Sequence, residues 1–168
     1  MLFAYRTGME TMTTLRAGLS VLLALFLAAC ASSGGKRVSE PAASIQQLTV
    51  DARGGWTVEL RLQNYSSVSM RFDSVNLALT VGGVVAGTLS AQPALAVAAE
   101  SADVVQIRLA PSAEARLQVA DALASGRSLP YSIDGQVSAA PDDRQPRSYR
   151  LRRESALSAT PGLPGVLR

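Results

Sequence analysis

The chain contains no histidine. That removes the commonest general base near neutral pH, and the commonest zinc ligand with it. Serine–histidine and cysteine–histidine catalysis are therefore excluded. Cysteine is nearly absent too. Cys30 is the only one, so no intrachain disulfide can close and stability has to come from packing. Lysine occurs once, at Lys36, and every other basic residue is arginine. A strong charge of one sign is also missing: 16 basic and 13 acidic residues leave a formal charge of +3. A field that weak does not argue for nucleic acid. The apolar run Ala17 to Ala29 falls short of the roughly 20 residues a membrane-spanning helix needs. There is no internal repeat.

What that run does offer is a leader. Arg16 precedes it, and it closes in Leu27-Ala28-Ala29-Cys30. A basic start, a short apolar core and a small-residue exit make a secretory signal peptide over residues 1–29. The small residues before the cysteine suit a processing site that admits little side-chain bulk. In these residues the chain resembles a bacterial lipoprotein precursor, with Leu27, Ala28 and Ala29 as its lipobox. The resemblance implies a diacylglycerol on the Cys30 thiol, a cut just before it and an acylated new amino terminus. It also implies membrane lipid as a partner. Ala31-Ser32 after the cysteine resembles the outer-membrane class, facing the periplasm, since an Asp there would favour inner-membrane retention. The alternative is an ordinary signal peptide that leaves Cys30 as a free thiol, a liability in an oxidising compartment. Met12 opens a tighter leader than Met1 does, and both starts are compatible with one.

Cleavage before Cys30 would leave 139 of the 168 residues, enough for one domain with a core. Loss of Arg6, Arg16 and Glu10 would bring the formal charge from +3 to +2. Residues 30–43 hold Ser32-Ser33-Gly34-Gly35 and Pro41 and read as a flexible tether. The domain is expected over 44–153, with a loose tail over 154–168 that contains two prolines and two glycines.

Inside the domain the hydrophobic period is two. Ile45, Leu48 and Val50 suggest a first strand. Trp56, Val58, Leu60 and Leu62 then alternate with Thr57, Glu59, Arg61 and Gln63, the pattern of a half-buried antiparallel strand. Gly54-Gly55 can supply the turn ahead of it. Val75, Leu77, Leu79 and Val81 share a face, but Phe72 is out of phase with them, which predicts a bulge near Asp73-Ser74. Gly82-Gly83 between two apolar runs signals a hairpin. Val84 to Ala91 returns, and Val105, Ile107 and Leu109 alternate again.

Pro111-Ser112 changes the period. Ser112 suits a helix N-cap, Glu114 the first turn and Gly126 the stop. Leu117, Ala120, Leu123 and Ala124 line one side at helical spacing, and that side is expected to face the core. Strand spacing resumes with Tyr131, Ile133, Gly135 and Val137, and the last strand carries Tyr149 and Leu151 inward and Arg150 and Arg152 outward. The pattern is mainly β: an antiparallel sandwich of about seven strands with one short α-helix.

The order of events resembles the water-stress and hypersensitive-response domain, also called late embryogenesis abundant type 2. That resemblance rests on Leu60-Arg61-Leu62-Gln63-Asn64, the hairpin across Gly82-Gly83, the strand Val104 to Leu109, the helix from Ser112, and Tyr131-Ser132-Ile133-Asp134-Gly135. It covers about Ile45 to Arg153. Where the family often shows Asn-Pro-Asn, this chain has Asn64-Tyr65-Ser66. The resemblance implies a role in stress tolerance, no cofactor and no catalytic residues.

Among candidate sites, Arg147, Arg150, Arg152 and Arg153 form the notable charge cluster, with Arg144 beside it. Near anionic headgroups each basic residue contributes about 1 kcal/mol, and an acidic partner would serve equally. Charged residues also protect an edge strand from pairing, and that use is preferred for this cluster. Asp142-Asp143 makes a poor cation site without further ligands. Trp56 and Tyr131 are in phase with the core. The functional expectation is a lipid-anchored, non-catalytic binding or stress-protective domain of the cell envelope. The alternative is an accessory subunit of an envelope transport or assembly complex, with an envelope protein as its partner.

Overall fold

A computed structural model describes residues 35–142 and 144–168. The alternation of Trp56 to Gln63 folds as it reads. Trp56, Val58, Leu60 and Leu62 are buried, while their neighbours are half-buried or exposed. This strand, β2 (Trp56–Gln63), pairs antiparallel with β1 (Ala42–Val50) and β6 (Ala102–Leu109). The second sheet is built on β3 (Met70–Val81), flanked by β4 (Val84–Ala91) and β7 (Leu129–Pro141). β8 (Arg147–Leu157) extends it, and the short β5 (Leu95–Val97) also pairs with β3. The strand orders are β6-β2-β1-β9 and β4-β3-β7-β8, with β9 (Val166–Leu167) at the end of the first. The two antiparallel sheets share one apolar core, to which both contribute. Seven of the nine strands among the described residues are long, and the remaining two span three and two residues.

Two irregularities explain the breaks in the sequence pattern. The β3–β7 register slips between Phe72 and Ser74, so Phe72 and Val75 both reach the core despite their odd spacing. The β1–β2 register slips between Ile45 and Gln47, which does the same for Ile45 and Leu48. At the β3–β4 hairpin Gly82 and Gly83 take φ of 55° and 81°. Both values are favoured by glycine and fit the twist of a two-residue hairpin.

The helix α1 (Ala113–Ser125) begins and ends where its caps stand. The Ser112 hydroxyl accepts from the Ala115 N–H at 3.2 Å and donates to the Val85 carbonyl at 2.8 Å, tying the helix start to β4. Gly126 closes it at φ 63°. The buried side differs from expectation. Ala115, Val119 and Ala122 face the core, whereas Leu117, Ala120 and Ala124 are exposed and Leu123 is only half-buried. An alanine-rich helix is apolar on two sides, so periodicity alone does not choose between them.

The tail also departs from expectation. β8 runs on to Leu157, and the chain then forms a hairpin. Ser158 and Arg168 exchange backbone hydrogen bonds at 2.6 and 2.9 Å, and Thr160 N–H donates to the Val166 carbonyl at 2.9 Å. β9 pairs with Leu48 and Thr49 of β1, and Leu167 is fully buried. The glycines that suggested looseness take positive φ here, at Gly162 and Gly165. The tail therefore carries the chain from the edge of one sheet to the edge of the other.

These connections sort the loops into two ends. At one stand the 51–55 turn, the Gly82-Gly83 turn, α1 and the turn of the tail hairpin. At the other stand the 64–69 loop, the segments 92–94 and 98–101 on either side of β5, and Asp142 at the end of β7.

Candidate functional site

β8 lies at the edge of its sheet, and it holds all four arginines of the expected cluster. The strand period divides them. Arg150 and Arg152 project on the same side as Ser148 and Glu154, and each meets an acid. Arg150 Nη2 lies 3.3 and 3.4 Å from the two carboxylate oxygens of Asp134, and Arg152 Nη2 lies 2.9 Å from Glu154 Oε1. Arg147 and Arg153 fall in phase with Tyr149 and Leu151 but remain exposed, and neither has an acidic partner among the described residues. Asp134 stands directly opposite Arg152 in the β7–β8 register but pairs diagonally with Arg150, whose cross-strand neighbour is Gln136. Exposed pairs of this kind contribute little to stability.

Asp142 is occupied by Lys36, whose ammonium hydrogen-bonds its carboxylate and holds it below the usual aspartate range, with Arg144 adding to the effect and partial desolvation opposing it. Asp143, its expected companion, lies outside the described residues, as do Leu27, Ala28, Ala29 and Cys30. No three His, Cys, Asp or Glu side chains converge among the described residues.

An open groove of about 810 Å³ lies beside α1. Leu123, Ala124 and Gly126 form one wall, and Thr160, Pro161 and Leu163 of the tail hairpin form the other. No ionisable residue lines it. It has nothing with which to move a proton.

A polar cluster that sequence reading passed over sits at the opposite end. Asn64 and Ser66 are the two buried polar residues of the described chain, both fully inaccessible. Asn64 Nδ2 donates to the carbonyls of Val68, Val97 and Ala98 at 2.8, 3.3 and 2.9 Å, and its Oδ1 accepts from the Ser66 N–H at 2.9 Å. One side chain thus fastens the β2–β3 loop to the β5–β6 loop. The only sequence signal was the surviving first Asn of the triplet.

The family model for late embryogenesis abundant protein, LEA_2, matches residues 59–145, from within β2 to just beyond β7. That is 87 of the 168 residues, just over half of the chain. No curated protein matches. Among solved structures, a crystal structure of a protein from Archaeoglobus fulgidus is similar at 13% identity and a TM-score of 0.41, covering 73% of this chain and 98% of that one. A solution structure of a protein from Arabidopsis thaliana is similar at 13% identity and a TM-score of 0.42, covering 73% and 78%. The Asn64 fastening, the Gly82-Gly83 hairpin, α1 and the Gly135 strand all lie inside the matched segment, and the chain belongs to the late embryogenesis abundant protein family LEA_2.

Proposed function

We propose that this protein is a lipid-anchored LEA_2 domain of the bacterial cell envelope, held at Cys30 and facing the periplasm from the outer membrane. It acts through its surface, as a binding or stress-protective module, and not as a catalyst. The observation that carries the surface reading is the groove beside α1, which is apolar and free of ionisable residues, in a chain with no histidine. The anchor is supported by Leu27-Ala28-Ala29-Cys30. A diacylglycerol supplies two chains, and two are enough for stable attachment where one is marginal.

Two experiments test this. Cys30→Ser should release the protein from the membrane fraction or stall it as a precursor; wild-type fractionation and mobility in the variant would refute the anchor. For the surface role, the chain in superstoichiometric amounts should slow the aggregation of a test enzyme under heat or drying. Failure at every ratio refutes protection.

A second reading has its own observation. Arg147 and Arg153 stand exposed without acidic partners among the described residues, on an edge strand. An accessory subunit could use them to dock an acidic envelope protein. A stoichiometric partner lost on Arg147→Ala with Arg153→Ala, and kept on Arg150→Ala, would favour it.

A further inference from the structure

The tether expected over residues 30–43 is partly folded onto the domain. Arg37 N–H donates to the Ser67 hydroxyl at 2.8 Å, and Ser67 N–H returns a bond to the Arg37 carbonyl at 2.9 Å. Ser39 N–H donates to the Ser66 hydroxyl at 3.0 Å, which donates in turn to the Ser39 carbonyl at 3.3 Å. Val38 packs against the core. Two ion pairs flank this contact: Lys36 with Asp142, and Arg37 with Glu100 at 3.0 Å. All of it lies at the end of the sandwich where Asn64 ties the loops together.

The two acids are unusual. Three non-glycine residues among those described have positive φ, and two of them are Glu100 at 52° and Asp142 at 49°. Each is held in that conformation by its own N–H, Glu100 to the Ser66 carbonyl at 3.0 Å and Asp142 to the Ser69 carbonyl at 2.8 Å. Left-handed backbone at a non-glycine residue costs free energy and persists where the surroundings enforce it. Here the cost falls on the two residues that receive Lys36 and Arg37.

We propose that residues 36–40 are a charge-held latch that sets the working length of the tether. With the latch closed, six residue steps separate Cys30 from the fixed Lys36, a reach of about 20 Å at most. With it open, the first fixed residue is Ala42 at the start of β1, and twelve steps reach about 40 Å. Both ion pairs are exposed at the surface, so salt screens them. The backbone bonds to Ser66 and Ser67 carry no net charge and do not share that sensitivity. Salt weakens the charged share of the latch, so at high ionic strength it opens more often and the domain stands off from its anchor for a larger fraction of the time. The change in membrane distance rests on Cys30 carrying lipid; the latch itself does not.

Trypsin cuts after Lys36 and Arg37 only when this segment leaves the surface. On the full chain, cleavage there, read by mass spectrometry and normalised to a free peptide of residues 31–42, should accelerate roughly fivefold between low and high salt. Glu100→Gln combined with Asp142→Asn should cut about as fast at low salt as wild type does at high salt, and lose the salt dependence. Equal rates in variant and wild type, or a salt dependence that persists in the variant, would overturn the proposal. Hydrogen exchange at the Arg37 and Ser67 amides in the same two proteins reads the opening independently of the cleavage sites. If Cys30→Ser fractionates as wild type while the latch responds as stated, the anchor reading fails and the latch stands.

Discussion

The Tyr131 hydroxyl, on β7, accepts a hydrogen bond from the Ile45 N–H on β1 at 3.1 Å and so joins the two sheets through the core. Ile45 stands at the β1 bulge, on a stretch that β9 does not reach, since β9 pairs only with Leu48 and Thr49. Tyr131→Phe keeps the ring and removes the acceptor. The buried N–H is then left without a partner, at a cost of about 1–3 kcal/mol. Urea denaturation should show a lower midpoint with an unchanged slope; a midpoint equal to wild type would show that the bond contributes nothing.

Asn64 supports a sharper comparison. Asn64→Ala leaves three carbonyls without their donor, and about 1–3 kcal/mol should be lost for a buried group so orphaned. Asn64→Asp should be worse, because a carboxylate oxygen replaces the amide nitrogen at 2.8–3.3 Å from those carbonyls. A thermal melt in which the Asp variant is as stable as the Ala variant would contradict the assigned donor direction.

Leu60 is fully buried while its neighbour Glu59 is half-buried and polar. Leu60→Ala should cost about 2–5 kcal/mol. Glu59→Ala should stay within about 0.5 kcal/mol. Similar losses from the two, by chemical denaturation, would remove the basis for the β2 face.

Asp142 sets a pH prediction. Lys36 and then Arg144 lower its pKa in the folded chain. A lowered folded pKa means that the pairing contributes above the ordinary aspartate range and is lost as pH falls through the lowered value. A carboxyl titration followed by NMR should give a midpoint below 3.8, and Lys36→Ala should move it upward. A midpoint unmoved by Lys36→Ala would show that Lys36 is not the cause.

The β2 face, the Phe72 bulge, the Gly82-Gly83 turn and both caps of α1 were legible because each depends on residues close in sequence. What was not legible depends on partners far away. The inward side of α1 is chosen by where the helix meets β4, and its alanines suit either side. The tail looked loose because Pro161, Gly162, Pro164 and Gly165 usually break structure, yet they build the turn that returns Leu167 to β1. The arginines of β8 were legible as a strand, with Glu154 two residues from Arg152 on the same face, but only the register with β7 brings Asp134 within reach of Arg150. Lys36 and Arg37 read as linker because their acids lie 106 and 63 residues away.

Gly135 shows the same limit from the other direction. A Cβ there would lie 2.2 Å from the Asn76 carbonyl oxygen, a contact no side chain sustains. The inward phase of Gly135 could be read from alternation; the closeness of the β3 backbone could not.

If Cys30 carries lipid as proposed, a pull on the anchored chain would travel through two stages in series. The first load falls on the 36–40 contacts, which are few and lie at the surface. Once they part, force enters β1 along its own axis, where eight rungs join it to β2. Loaded in shear, those rungs share the tension instead of opening one by one. The segment before β1 would then work as a mechanical fuse, lengthening under modest tension while the sandwich behind it keeps its shape.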